Sequence, residues 1–318
     1  MRIDPILQAL RGNPTPQRRA QRAVEGAKEA WKRHEDVALM LEELEAYGVG
    51  ASLDHCPMLD SVINEPHRAA ILVNDLCSRM GKALDNEPLG QVPFRHQYAG
   101  GISVVQLAEY GRAALSLVCY ERLLEDRRET AQTVCFVGGE RHEIYLAGSA
   151  SSEIIEIIEE HSDHAVLDRR SETLAAGGTL SITGERMTKL VRHVHGRLVM
   201  LRLSRAPAQP QTAREFRLDN GQLVHRASGQ REESRLELAM ALLGQMGRTD
   251  AADALEDIAF EGSDHIRWQA LRTCLSLDTG RGFAALSRIA SNPADSLSEV
   301  AGSLRASLIE AHPQLSQI

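Results

Sequence analysis

Residues 102–122 read ISVVQLAEYGRAALSLVCYER, so apolar and polar side chains alternate on both sides of the pair Gly111-Arg112. An alternation with a period near two is typical of a β-strand, whose successive side chains point to opposite faces of a sheet. A two-residue connection that contains glycine closes a hairpin, because glycine adopts the positive φ that such turns need. The segment therefore predicts two antiparallel strands, Ile102–Tyr110 and Ala113–Arg122.

The same alternation continues to about residue 226 and is interrupted by short turns. Two of these turns, Gly138-Gly139 and Asn220-Gly221, predict further hairpins. A parallel sheet would need crossover helices, for which this part of the chain has no room, so we predict an antiparallel sandwich or barrel. Its further strands are expected at Gln132–Val137, Arg141–Ala147, Ile154–Ile158, Ala165–Asp168, Thr179–Thr183, Lys189–His193, Arg197–Leu203, Glu215–Leu218 and Gln222–Arg226. The strand at Ile154–Ile158 has an alternative, since residues 151–160 are also compatible with one helix.

The first ninety residues have a helical period instead. One apolar stripe recurs at intervals of three and four residues and consists of Ala20, Val24, Ala27 and Trp31. A second stripe ends just before Gly48, and a third helix is predicted over His67–Leu84, directly after Pro66. We expect these three helices to form an amino-terminal cap.

A helical period returns from Glu232 and contains an internal echo. The segment ALEDIA at 254–259 recurs 31 residues later as ALSRIA at 285–290, and Asp264 is matched by Asp295. This region resembles HEAT-type helical repeats, in which each helix pair buries its apolar face against the next pair. The resemblance implies two helix pairs, a terminal helix and surfaces for interaction. Both aspartates are expected to cap the helices that follow them.

The length and composition agree with this three-part organisation. The chain has 318 residues, of which 43% are apolar and 25% charged, enough for two or three packed units. The sequence therefore predicts an α+β protein with a helical cap over residues 1–91, an antiparallel β domain over 92–228 and HEAT-like helical repeats over 229–318.

The charge and the cysteine pattern exclude several classes of protein. The formal net charge of −8 and the low aromatic content of 4% disfavour binding to nucleic acid, although one face of the first helix is basic. No segment has the roughly 20 apolar residues of a membrane span, so we expect a cytoplasmic protein that does not contact a membrane. Five cysteines without a Cys-x-x-Cys spacing argue against a disulfide framework or a zinc knuckle.

A pair of histidines is the candidate metal site. His193 and His195 are one residue apart on a predicted strand, so their side chains point to the same face. The spacing, the strand density and the turns resemble the cupin family of small β-barrels, whose metal-binding members carry His-x-His followed by a glutamate and a later histidine. This sequence departs from that pattern, because no carboxylate follows His195 before Glu215. The resemblance implies iron, zinc or manganese, with further ligands drawn from His96, Glu140, His142, Glu143 and His225.

Two other clusters are candidates for binding. Arg95 and His96 lie at the start of the first strand, and Glu140 and His142 lie directly after Gly138-Gly139, so these four residues are predicted to bind a ligand in the β domain. The candidate partner-binding residues lie on one helix of the repeats, where a tryptophan is flanked by arginines as in many protein interfaces. They are Arg267, Trp268 and Arg272.

The sequence contains no complete catalytic motif. Nucleophile-elbow, phosphate-loop and dinucleotide-binding patterns are all absent. We therefore predict a non-catalytic cytoplasmic interaction or regulatory protein without a cofactor, whose β domain binds a small molecule or a peptide and whose repeats bind a protein partner or a second copy. The alternative is a metal-dependent enzyme of oxygenase or isomerase type with a cupin-like barrel.

Overall fold

The computed structural model describes residues 12–122, 131–209, 211–227, 229 and 231–317. The described residues form two compact units. The first unit consists of the described residues within 12–209 and 213–226, and the second of those within 211–212 and 227–317. Helices at both ends of the chain and antiparallel sheets between them confirm the predicted α+β class. The division into regions 1–91, 92–228 and 229–318 stays a prediction.

Four α-helices begin the described part of the first unit: α1 (Thr15–Lys32), α2 (Glu35–Val49), α3 (Pro57–Asn64) and α4 (Pro66–Asn86). Helix α1 buries three residues of its predicted stripe, and the indole of Trp31 donates a hydrogen bond of 3.3 Å to the Leu72 carbonyl on α4. Helix α3 was not predicted, because eight residues form only about two turns and show no clear period. None of the described helices is long and apolar enough to cross a lipid bilayer.

The described residues contain ten strands. They are β1 (Arg95–Ala99), β2 (Ile102–Tyr110), β3 (Ala113–Glu121), β4 (Thr133–Phe136), β5 (Glu140–Glu160), β6 (Ala165–Ala175), β7 (Thr179–Thr183), β8 (Met187–Arg205), β9 (Ala213–Arg217) and β10 (Leu223–Ala227). One sheet has the order β1-β2-β3-β8-β5-β6, with β7 also paired to β5, and a smaller sheet has the order β10-β9-β4. The pairs for which a register is defined are all antiparallel, as the sequence predicts.

The pairing confirms two of the predicted hairpins and corrects the third. Strands β2 and β3 pair around Gly111-Arg112, and β9 is the neighbour of β10 around Asn220-Gly221. The hairpin predicted around Gly138-Gly139 is wrong, because β4 pairs with β9 and β5 pairs with β6, β7 and β8. The separate strands predicted within β5, and likewise within β8, are joined into two strands of 21 and 19 residues. Residues 151–160 are therefore strand and not helix.

Strands β5 and β8 form a long antiparallel ribbon that bends in the middle. Its register shifts three times between Tyr145 and Ser152, and such bulges bend and twist a strand. Gly148 lies at this bend with φ +79°, and a Cβ there would lie 1.6 Å from the Arg197 carbonyl oxygen. No side chain fits at that approach. The bend brings the two halves of the ribbon face to face, which makes a sandwich out of one sheet.

Three apolar layers hold this unit together. The first lies between the helices and the outer face of the sheet, the second between the two halves of the ribbon, and the third beneath the smaller sheet. Central residues are Leu44, Ile144 and Leu201 in the first layer, Tyr145, Val191 and Met200 in the second, and Phe136, Ile155 and Phe216 in the third. Alternation along β5 explains why Ile144 faces the helices while Tyr145 faces the interior of the sandwich.

The second unit consists of helices around one apolar core. Its α-helices in the described residues are α5 (Arg231–Gln245), α6 (Ala252–Ile258), α7 (Asp264–Leu277), α8 (Thr279–Ala290) and α9 (Ser298–Ala311). The echoed segments 254–259 and 285–290 lie mainly in α6 and α8 and contribute Leu255 and Leu286 to the core. The resemblance of these helices to HEAT repeats stays a prediction.

The two echoed aspartates act differently from the expectation. The N-cap of α7 is Ser263, and no side chain caps that helix. Asp264 lies inside its first turn, where its carboxylate contacts Arg267 and Ser296. Asp295 accepts from the Leu297 amide at 2.9 Å, just before α9, and also binds Arg267. Asp264 and Asp295 therefore share one guanidinium.

Candidate functional site

The interior of the sandwich contains a cluster of charged side chains. Arg141, Glu143 and Tyr145 are every second residue of β5, so their side chains all point to the interior. Arg202 lies opposite Glu143 on β8. Lys189 belongs to the other half of the ribbon, where it pairs with Ile154. The bend nevertheless brings its ammonium group onto the Glu143 carboxylate. We call Arg141, Glu143, Tyr145, Lys189 and Arg202 the interior cluster.

Glu143 is the only carboxylate of the interior cluster. Its side chain is 0% exposed, and it accepts from the ammonium of Lys189, from the Nε of Arg202 at 3.0 Å and from the hydroxyl of Tyr145 at 3.2 Å. The Nε of Arg141 lies 3.7 Å from the same carboxylate. One buried negative charge therefore faces three positive charges.

The pKa values of the cluster reflect this arrangement. Burial opposes ionisation of Glu143, but the charges of Lys189, Arg202 and Arg141 lower its pKa to about 2. Burial lowers the pKa of Lys189 to about 8, against the attraction of Glu143. Burial and the neighbouring carboxylate raise the pKa of Tyr145, so its hydroxyl stays protonated. The cluster has an excess of positive charge at neutral pH.

A cavity of about 350 Å³ opens beside the interior cluster. Its wall contains four arginines and one carboxylate, namely Arg112, Arg141, Arg202, Arg205 and Glu140. The remaining wall is formed by Val137, Gly138, Gly139, Ile182, Ser204 and Ala206. A cavity of this volume is in the range of small-molecule sites. We call it the arginine cavity.

The four arginines of the cavity differ in how far they are already paired. Arg205 donates to both oxygens of Glu140, at 2.7 and 2.8 Å, and to the carbonyls of Tyr47 and Ala51 on the helical side. Tyr47 donates to Glu140 as well, at 2.6 Å. These hydrogen bonds lower the pKa of Glu140, although burial opposes the shift. Arg205 and Glu140 therefore form a complete structural pair.

Arg141 is not paired in this way. Its Nε is buried and has no hydrogen-bond acceptor within the described part of the chain. Buried polar groups without a partner are rare, because their desolvation is not compensated. The Glu143 carboxylate lies 3.7 Å from this Nε, and the Arg141 side chain, which is 31% exposed, lines the cavity.

Only part of the predicted ligand site lies at the cavity. Glu140 lines the wall, whereas the Nδ1 of His142 lies 3.0 Å from the Ser181 hydroxyl, away from the cavity. Arg95 and His96 lie on the edge strand β1, all of whose residues are exposed. Arg141, Lys189 and Arg202 were not predicted as site residues, although a lysine or arginine inside an apolar strand was a usable signal.

The predicted metal pair lies on β8. The rings of His193 and His195 lie 4.9 Å apart on β8, opposite Ser151 and Ser149 of β5. Among the described residues, no three His, Cys, Asp or Glu side chains lie close enough together to hold a metal ion. His96, Glu140, His142, Glu143 and His225 thus do not complete the pair, and metal binding stays a prediction.

The predicted partner-binding residues occupy different environments. Arg267 is buried and donates to the Ala259 carbonyl and to both echoed aspartates. Trp268 is half-buried against the core of the second unit, and Arg272 is exposed. A separate exposed apolar row follows α5, with Leu238 and Leu242 on the helix and Met246 directly after its end. Partner binding by these helices stays a prediction.

Comparisons with known proteins give fold neighbours only. No family model matches the chain, and no curated protein matches it. A Drosophila melanogaster CENP-C cupin domain covers 37% of this chain and 89% of its own, with 10% identity and a TM-score of 0.27. An RmlC-like cupin from Shewanella frigidimarina covers 37% and 87%, with 8% identity and a TM-score of 0.25. A cupin superfamily protein from Desulfitobacterium hafniense covers 35% and 83%, with 15% identity and a TM-score of 0.24. These neighbours are cupin domains, but such low scores define no function.

Proposed function

We propose that this chain is a non-catalytic cytoplasmic binding protein whose β domain holds a small anionic ligand in the arginine cavity. The observation that supports this is the charge balance of the interior cluster, in which three cations surround one carboxylate. A buried positive charge without a counter-charge is costly, and an anion in the adjoining cavity would reduce that cost.

The geometry also favours an anion over a neutral ligand. Arg141 and Arg202 approach the cavity from β5 and β8, and guanidinium groups bind carboxylates and phosphates through two parallel hydrogen bonds. The guanidinium of Arg141, whose side chain is 31% exposed, is one donor for such a contact.

The test is a calorimetric titration of the full chain with benzoate and with inorganic phosphate at low ionic strength. We expect binding that Arg141→Gln weakens by at least tenfold, a loss of about 1.4 kcal/mol. Arg197→Gln is the matched control, since Arg197 is also on β8 but is 72% exposed and outside the cavity. If neither anion binds, or if both variants lose the same affinity, the proposed function is wrong.

A further inference from the structure

The wall of the arginine cavity is divided into a cationic side and an apolar side. Arg141 and Arg202, which belong to the interior cluster, form the cationic side. Ile182 and Val137 form the apolar side. Ile182 pairs with Arg141 across β5 and β7, so its side chain lies beside that guanidinium. An inorganic anion would contact only the cationic side.

Val137 gives the apolar side an unusual feature. Its side chain is 61% exposed, although it lines the cavity, while Ile182 is 4% exposed. A large apolar side chain at the rim of a polar cavity is typical of a site that covers the apolar part of a ligand.

The backbone next to Val137 packs closely against the end of β8. Gly139 has φ +119°, and a Cβ there would lie 2.5 Å from the Arg205 carbonyl oxygen, so only glycine fits. This close contact holds the turn that carries Val137 against Arg205.

We propose that the ligand is a small organic anion with one acidic head group and an apolar body. The head group contacts Arg141 and Arg202, and the body packs against Val137 and Ile182. This inference rests on the proposed function, because it names the class of anion that the arginine cavity binds. The cavity volume of about 350 Å³ exceeds what an inorganic anion needs and suits a ring or a short chain attached to the head group.

The test compares matched anions that differ only in the apolar body. Benzoate is compared with acetate, and phenyl phosphate with inorganic phosphate, by calorimetry on the full chain. We expect the anion with the ring to bind at least tenfold more tightly in the pair whose head group the site prefers, because burial of about 55 Å² of apolar surface supplies that factor. Which pair shows the larger gain identifies the head group as carboxylate or phosphate.

A substitution at the rim separates the apolar contact from the charge contact. Val137→Thr keeps the shape of the side chain but replaces one methyl group by a hydroxyl. We therefore expect three- to fivefold weaker binding of the aromatic anion, roughly the effect of one buried methyl group. Binding of the small anion should not change. Val224→Thr is the control, since Val224 is 53% exposed and does not line the cavity. Equal affinities for the aromatic and the small anions would overturn this inference and leave the proposed function standing. Absence of binding by both benzoate and inorganic phosphate would instead overturn the proposed function.

Discussion

The interior cluster of the β domain and the network around Arg267 in the C-terminal helices are both buried ion networks, but their charge balance is opposite. In the β domain, one carboxylate faces Lys189, Arg202 and Arg141. In the helices, one guanidinium faces Asp264 and Asp295 and also donates to the Ala259 carbonyl. Both networks join segments that are distant in sequence.

The two networks differ in the environment of the surplus charged group. Asp264 is 54% exposed, so water solvates the surplus carboxylate of the helical network. In the interior cluster, Lys189 is 2% exposed, Arg202 21% and Arg141 31%, and both arginines line the arginine cavity. Water thus balances the surplus charge of the helical network, whereas the proposed function assigns that role in the interior cluster to a bound anion. The two networks therefore differ in where their surplus charge lies, at the surface or beside a cavity.

Removing the single carboxylate should have the largest effect. We expect Glu143→Gln to lower the free energy of unfolding by about 3–5 kcal/mol, because the buried Lys189 and the two arginines beside it lose their counter-charge. Urea unfolding followed by Trp31 fluorescence in a Trp268→Phe background measures this, since Trp31 lies in the first unit. Glu156→Gln is the matched control, because Glu156 is an exposed glutamate of the same strand. A loss no greater than in the control would contradict the stated role of Glu143.

The corresponding change in the helical network should cost less. We expect Arg267→Met to lower the free energy of unfolding by about 2–3 kcal/mol, because Asp295 and the Ala259 carbonyl lose a charged donor while Asp264 remains hydrated. Trp268 fluorescence in a Trp31→Phe background reports this transition. Arg272→Met on the exposed face of the same helix should stay within about 0.5 kcal/mol. If the two substitutions cost the same, Arg267 is not the centre of the network.

The sequence predicted the elements of both regions better than their pairing. Local alternation identified β2, β3, β9 and β10, since turn residues and neighbouring strands are close in the chain. The long strands β5 and β8 were each predicted as two separate strands, which leave out Gly148 and Gly196. In the structure these glycines lie inside strands, at the bend of the ribbon.

The interior cluster could not be predicted from the sequence for a related reason. Lys189 and Arg202 are 46 and 59 residues from Glu143. Arg202 meets it because the two residues pair across β5 and β8, whereas Lys189 reaches it only because the ribbon bends. A charged residue in an alternating strand is also expected on the solvent face, which is correct for most antiparallel sheets. By contrast, Glu140 was predicted from its position after a glycine turn, and it does line the cavity.

The excess charge of the interior cluster should make ligand binding depend on pH. Lys189 is protonated below its pKa of about 8 and neutral above it, while Glu143, with a pKa of about 2, stays ionised throughout. Arg202 and Arg141 stay charged, so the excess over one carboxylate falls from two cations to one. We expect the affinity for benzoate to fall on the order of tenfold between about pH 6.5 and about pH 9.5. Benzoate itself stays ionised over this range, so the protein causes the change.

Lys189→Met provides the control for this titration, since it removes the titrating group from the cluster. The affinity of this variant for benzoate should be weaker at about pH 6.5 and should no longer change through about pH 8. A pH dependence that survives in Lys189→Met would assign it to another group and remove the interior cluster from the explanation.

The smallest effect tests the claim that hydration balances the helical network. Asp264 and Asp295 both bind Arg267, but their side chains are 54% and 11% exposed. Arg267 and the Leu297 amide together lower the pKa of Asp295. We therefore expect Asp264→Asn to change the free energy of unfolding by less than about 1 kcal/mol and Asp295→Asn to cost more, because Asp295 is less exposed and also accepts from the Leu297 backbone amide before α9. Trp268 fluorescence measures both. If Asp264→Asn costs as much as Asp295→Asn, water does not solvate the surplus carboxylate, and the contrast between the two networks no longer rests on exposure.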